Sequence, residues 1–168
     1  QDEDLLQIAE ALSKSTYNEK LKKQLLVDVS SIARHDLRTG IERVVRAQLL
    51  EFIKNPPVGY VVEPVYLKNE NGCWNYRYAR QYACNILNIN DCYLSDEIIE
   101  VANGDVFYCA DFFRDGIIEV AKSGLYNKWR ASGVFINFTV YDLLPIIFPQ
   151  FFPQDSDVNH ALWLKAIA

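Results

Sequence analysis

The feature that most constrains this chain is a repeated change of hydrophobic period: short, nearly continuous apolar runs alternate with stretches whose apolar residues recur at helical spacing. The first run, Leu25-Leu26-Val27-Asp28-Val29, reads as a strand covered on both faces, since a half-exposed strand would alternate apolar and polar residues. Beyond the loop 30–40, Ile41, Val44, Val45, Leu49, Phe52 and Ile53 mark one face of a helix, with Glu42 and Arg46 four apart on its wet side. Asn55-Pro56-Pro57-Val58-Gly59 stops it. A strand at 105–110, a helix at 115–131 and an intensely apolar, buried strand at 134–140 repeat the pattern. Strands separated by helices predict an α/β fold, a Rossmann-like parallel sheet flanked by helices and joined by right-handed crossovers.

The remaining segments fit around that sheet. Runs rich in β-formers at 61–67 and 74–78 flank Asn71-Gly72, the pair most suited to a tight hairpin. A short helix is expected at 79–87, a weak strand at 98–101, a loop at 142–153 and a helix from 159 to 168. In the loop, Phe148, Phe151 and Phe152 are expected to pack onto the sheet; His160 reads as a helix-surface residue. At the other end, Leu5, Ile8, Ala9 and Leu12 form the apolar face of a leader helix. Residues 1–24 are therefore read as leader helix and connector, and 25–168 as the domain.

Composition narrows the function classes. A chain of 168 residues that is 50% hydrophobic and 23% charged can bury a real core. Its net charge of -5 excludes a general nucleic-acid binder, which needs a basic face to neutralise phosphates. With no apolar run near the roughly 18 residues of a membrane span and no signal-peptide pattern, a cytoplasmic location is the expectation. Cys73, Cys84, Cys92 and Cys109 contain no CxxC pair and are too scattered for a zinc site, so all are expected to be free thiols.

In an open parallel sheet, ligands bind beyond the carboxyl ends of the strands, where strand order reverses. Asp28, Asp111 and Asp142 occupy or follow such ends and are candidates to face a ligand; capping of loop N–H groups is the alternative for each. The loop after the first strand ends in Thr39-Gly40-Ile41 at a helix start, where small residues and free amides favour a phosphate. This is not GxGxxG, which disfavours a nicotinamide or flavin dinucleotide enzyme. His35 sits mid-loop beside Arg34 and Asp36, placed to bind a ligand or exchange a proton.

Taken together, LLVDVSSIARHDLRTGIERVVRAQL, NPPVGYVVEPVYL, YRYAR, NGDVFYCAD and GVFINFTVYDLLPIIFPQFFP resemble the N-terminal domain of family-four GT-B glycosyltransferases, of the bacterial type that builds O-antigen and other surface polysaccharides. The resemblance implies the acceptor-side half of a retaining glycosyltransferase of hexosyltransferase type, ending before the donor domain that would be its partner. Its substrates would be a nucleotide-sugar donor and a glycan or lipid-linked acceptor, compatible with peripheral association with the inner membrane. Thr39, Gly40 and Ile41 would approach the donor phosphates. Where related mannosyltransferases carry a His-Asp pair that meets the transferred sugar, this chain has Tyr141-Asp142. Tyr141 can hydrogen-bond a sugar hydroxyl or stack on its face, and Asp142 can orient a hydroxyl or the loop. The paired glutamates and diphosphate-clamping basic residues would lie in the second domain. No metal and no cofactor are implied, because these enzymes stabilise the leaving diphosphate with helix dipoles and basic side chains. The alternative reading is a non-catalytic α/β ligand-binding or interaction module.

Overall fold

The computed structural model describes residues 22–35, 40–89 and 94–168, so the expected leader helix and most of its connector lie outside the described residues. Five strands form one sheet. They are β1 (Lys23–Asp28), β2 (Tyr60–Glu70), β3 (Cys73–Tyr78), β4 (Val106–Cys109) and β5 (Phe135–Phe138), in the order β3-β2-β1-β4-β5. β1 pairs in parallel with β2 and β4, and β4 in parallel with β5; only the β2–β3 hairpin is antiparallel. The fold is thus α/β and Rossmann-like, as expected from the alternation of periods.

Helices cover both faces. α1 (Gly40–Lys54) and α2 (Arg80–Ile86) pack Val45, Leu49, Tyr82 and Ile86 against Leu25 and Val27 of β1. On the other face, α3 (Arg114–Lys122), α4 (Leu125–Ala131) and α6 (Ser156–Ile167) bring Ile117, Val120, Trp129 and Trp163 into one core with Leu26, Leu67 and Phe107. Neighbouring residues of β1 therefore enter opposite cores, which explains the unbroken apolar run. Phe107 is fully buried among Tyr76, Tyr126 and Trp129, with ring centroids 5.0 to 6.0 Å away. Truncating such an aromatic removes roughly 3–5 kcal/mol of packing.

The hairpin turns at Asn71-Gly72, both at positive φ (55° and 85°), the conformation a two-residue turn requires. Elsewhere the chain departs from expectation. The helix expected over 115–131 is broken into α3 and α4 at Gly124, whose φ of 76° is left-handed and ends the hydrogen-bond ladder. The strand expected at 98–101 is a single bridge between Ile98 and Arg77. β5 is an edge strand, not a buried one: Ile136 and Phe138 face the core, while Phe135 is 64% exposed and Asn137 is exposed. The loop 142–153 contains a short helix, α5 (Leu144–Ile147), and a 3-10 turn at Pro149–Phe151. Its Phe148 and Phe151 stack on each other at 6.4 Å and stay exposed instead of packing onto the sheet.

Cysteine pairing also differs from expectation. Cys73 and Cys109 are free, but Cys84 on α2 is disulfide-bonded. Just past α2, Asn88 adopts a φ of 54° and the Ile89 N–H returns to the Cys84 carbonyl at 2.9 Å, so the chain reverses over that cysteine. Among the described residues no helix is long and apolar enough to cross a membrane.

Candidate functional site

The order β3-β2-β1-β4-β5 sends the chain to one side of β1 through α1 and later to the other side, so strand order reverses between β1 and β4. At that point the carboxyl ends of the two strands splay apart, and the loops leaving them define a crevice. The polar residues below this crevice form a connected network.

Asp28, the last residue of β1, is completely buried. Its Oδ1 accepts the backbone N–H of Ser30 at 2.9 Å and the Ser30 hydroxyl at 2.5 Å; its Oδ2 accepts the Tyr76 hydroxyl at 3.0 Å. Since Tyr76 donates to Asp28, Tyr126, whose hydroxyl lies 3.0 Å from that of Tyr76, must donate in turn. The Cys109 thiol stands 3.4 Å from Asp28 Oδ2 and 3.2 Å from the Asp111 carbonyl, and its single proton serves one at a time. Ser30 Oγ also accepts the Leu67 N–H at 2.8 Å, tying the end of β1 to β2. Burial raises the Asp28 carboxyl pKa, and hydrogen bonds from Ser30, Cys109 and Tyr76 oppose the shift. Every carboxylate oxygen of Asp28 is thus spent on the protein itself.

Asp111, two residues past β4, clasps the loop that leaves β1. Its Oδ2 accepts the N–H groups of Ser31 at 2.5 Å and Ile32 at 3.2 Å, and its Oδ1 that of Phe112 at 2.8 Å. Burial, and next the charge of Asp28, push the Asp111 carboxyl up to about 7, although the three N–H donors favour its ionised form. Arg34 lies over the Phe113 ring, 4.0 Å from its centroid, and donates to the Leu67 carbonyl. Burial lowers its pKa and the charge of Asp28 resists the shift; a guanidinium stays charged under both.

His35, at the end of the described part of this loop, is exposed, with its backbone N–H on the Ser31 carbonyl at 3.0 Å. Thr39 lies outside the described residues. Gly40 opens α1, and among the described residues a Cβ added there would meet nothing within 4 Å. The next residue, Ile41, lines a cavity of 140 Å³ together with Tyr141, Asp142 and Phe112. The chain segments predicted to meet phosphate and sugar therefore border one cavity. In it the Tyr141 ring forms a wall while its hydroxyl donates to the Ala110 carbonyl at 2.7 Å, and burial pushes the phenol up to about 12. Asp142 Oδ1 accepts the Leu144 N–H at 3.0 Å, which fixes the turn into α5.

Sequence reasoning did not single out Ser30, Tyr76, Tyr126 or Cys109, which build the network around Asp28. Tyr76 lies on the inward face of β3, and nothing local links it to a carboxylate in β1. His160, read as a surface residue, instead stacks on Trp163 at 5.4 Å and borders the cavity. Among the described residues no group of three His, Cys, Asp or Glu side chains is arranged to hold a metal ion.

No family model matches the chain, and no solved structure matches it. Over 165 residues, 98% of its length, the chain is 34% identical to a serotype-specific mannosyltransferase WbdA of Escherichia coli and 32% identical to a second protein of that name from the same species. It spans 19% of the length of each of these curated relatives, so what it resembles is one segment of a serotype-specific mannosyltransferase.

Proposed function

We propose that this chain is the acceptor-side, N-terminal domain of a retaining GT-B glycosyltransferase that builds a surface polysaccharide. It would transfer a hexose, mannose by the names of its relatives, from a nucleotide-sugar to a glycan or lipid-linked acceptor. The observation that carries this reading is the coincidence of two facts. Similarity to mannosyltransferases runs over 98% of the chain, and the fold places Ile41, Tyr141 and Asp142 on one cavity at the carboxyl ends of the strands. In this reading the start of α1 turns its free amides toward the donor phosphates, with Gly40 leaving room for them. Asp28 and Asp111 hold the loop that presents α1, and Asp142 orients a sugar hydroxyl. A second Rossmann-like domain supplies most nucleotide contacts, and no metal takes part. The protein works in the cytoplasm, at the inner membrane surface where a lipid-linked acceptor is reached.

The test is transfer by the full-length protein from nucleotide-linked mannose to a mannose-terminated acceptor. The product should keep the anomeric configuration of the donor. An inverted product overturns the retaining mechanism, and no transfer from any nucleotide-hexose overturns the enzyme assignment. Tight nucleotide binding by residues 22–168 alone would reverse the division of labour between the domains.

A further inference from the structure

On the sheet face that carries α3, α4 and α6, the three helices leave a groove of 510 Å³ between them. α3 lends it Ile118, Ala121 and Lys122, and α6 lends Leu162, Lys165 and Ala166, each set at the i, i+3, i+4 spacing of one helix face. α4 closes the groove with Tyr126 and Arg130. The floor is aliphatic, with Leu162 52% exposed, and the rim is basic. Lys122 meets Glu119 at 2.7 Å, whereas Arg130 has only the neutral Asn127 Oδ1 at 3.5 Å, and no carboxylate of a described residue pairs with Lys165.

Among the described residues this lining offers little to hold a small polar ligand. Its most enclosed polar group, the Tyr126 hydroxyl, is committed to Tyr76 at 3.0 Å, and the cations stand exposed at the rim. What suits an aliphatic floor with a basic rim is an acidic amphipathic helix, seated through apolar residues at i, i+3, i+4 and i+7. The chain contains such a sequence. Leu5, Ile8, Ala9 and Leu12 have this spacing, and at 3.6 residues per turn Asp2 and Asp4 fall roughly a quarter turn to either side of their stripe. With Glu3 and Glu10, residues 2–12 carry four carboxylates and no cation.

The intervening chain is long enough to reach. β1 begins at Lys23, whose Cε stands 2.7 Å from the place a Cβ on Gly104 would take. The Gly104 N–H bonds the Gly133 carbonyl at 2.9 Å, and the Gly133 N–H bonds the Arg130 carbonyl at 3.0 Å. The start of β1 and the basic end of α4 therefore share one end of the fold, opposite the crevice at the carboxyl ends of the strands. Residues 13–21 span up to about 30 Å when extended.

We propose that residues 2–12 dock as an amphipathic helix in the groove between α3, α4 and α6, with Leu5, Ile8 and Leu12 on its aliphatic floor and the acidic flanks facing its basic rim. The chain ahead of β1 is thereby anchored to the domain, and the crevice stays open. This docking is independent of the transferase reading.

The experiment treats the full-length protein with a carbodiimide, which joins a carboxylate to an amine in contact with it, and locates the products by mass spectrometry. Asp2, Glu3 or Asp4 should be joined to Lys122 or Lys165. Leu5→Ser combined with Ile8→Ser should cut that yield by more than about tenfold, since one buried aliphatic side chain alone is worth that much. In the unmodified protein, amide hydrogen exchange over residues 2–12 should be slower than in an unfolded chain. Arg130→Glu with Lys165→Glu, both exposed positions that leave the core folded, should speed it by about tenfold, the worth of a few exposed charge pairs. Adding Asp2→Lys and Asp4→Lys to that variant should slow it again. Joining of these carboxylates only to other lysines, a yield that the serine variant leaves unchanged, or exchange over residues 2–12 at the rate of an unfolded chain overturns the proposal.

Discussion

The Asp111 carboxylate, just past β4, accepts the backbone N–H of Ser31, in the loop after β1, at 2.5 Å across 80 residues of sequence. This bond closes the base of the crevice, and its strength depends on the charge of a carboxyl that burial has pushed up to about 7. In the unfolded chain the same carboxyl titrates near its ordinary value of 3.8. Between these values the folded state binds the extra proton, so the contribution of Asp111 to stability is complete below pH 4 or so and is lost as pH rises through about 7. Asp28, raised in the same direction, adds to the slope. Thermal unfolding followed from pH 5 to pH 8 should show a falling trend that Asp111→Asn flattens. The difference amounts to a few kcal/mol at most, since a tenfold change in proton affinity is worth about 1.4 kcal/mol. A variant with the wild-type slope would mean that Asp111 titrates like a surface carboxylate.

Ser30 serves both β1 and β2, giving its proton to Asp28 and taking that of the Leu67 amide. Ser30→Ala leaves the buried Leu67 N–H without an acceptor and Asp28 short of one donor. A loss of about 1–3 kcal/mol is expected in urea unfolding, more than the few tenths of a surface serine. An unchanged midpoint would show that the network relaxes around the gap.

Among the described residues nothing stands within 4 Å of where a Gly40 side chain would begin. Gly40→Val should therefore leave thermal unfolding within about 1 kcal/mol of wild type, the cost of a β-branched residue at a helix start. In the full-length enzyme it should cut transfer strongly and raise donor KM by obstructing the phosphate. Wild-type turnover and KM would make the loop a connector.

Asp142 fixes its turn with one oxygen on the Leu144 N–H, and on the proposed transferase reading it orients a sugar hydroxyl. Asp142→Asn keeps an acceptor of similar shape, so it should retain more activity than Asp142→Ala, which removes the contact and the turn's hydrogen bond together. The measurement is kcat and acceptor KM for both folded variants. Equal and complete loss would show that the negative charge itself is required.

The sequence by itself determined the layered α/β plan. Residues such as Leu25, Leu26 and Val27 can only be buried together by a strand covered on both sides, and Ile41 to Ile53 only by one helical face. Asn71-Gly72 likewise determined its own turn, because two successive positive φ angles suit few other residue pairs. The same local signals put Asp28 and Asp111 at strand ends, but that the crevice opens between β1 and β4 depends on the strand order.

What the tertiary structure alone decided are relationships between residues that no local pattern links. Asp28 reads at a strand end like any ligand-facing carboxylate; only the arrival of Tyr76 from β3 and Cys109 from β4 makes it a buried keystone. The apolar residues of β5 predict burial, yet its place at the sheet edge leaves one face uncovered, since position in the strand order is a property of the whole chain. His160 and Trp163 spell an ordinary helix until α6 docks beside Phe112 and the Asp142 carbonyl, and the same docking creates the cavity. Local periodicity states which residues are apolar and how they are spaced, whereas packing decides which of them meet.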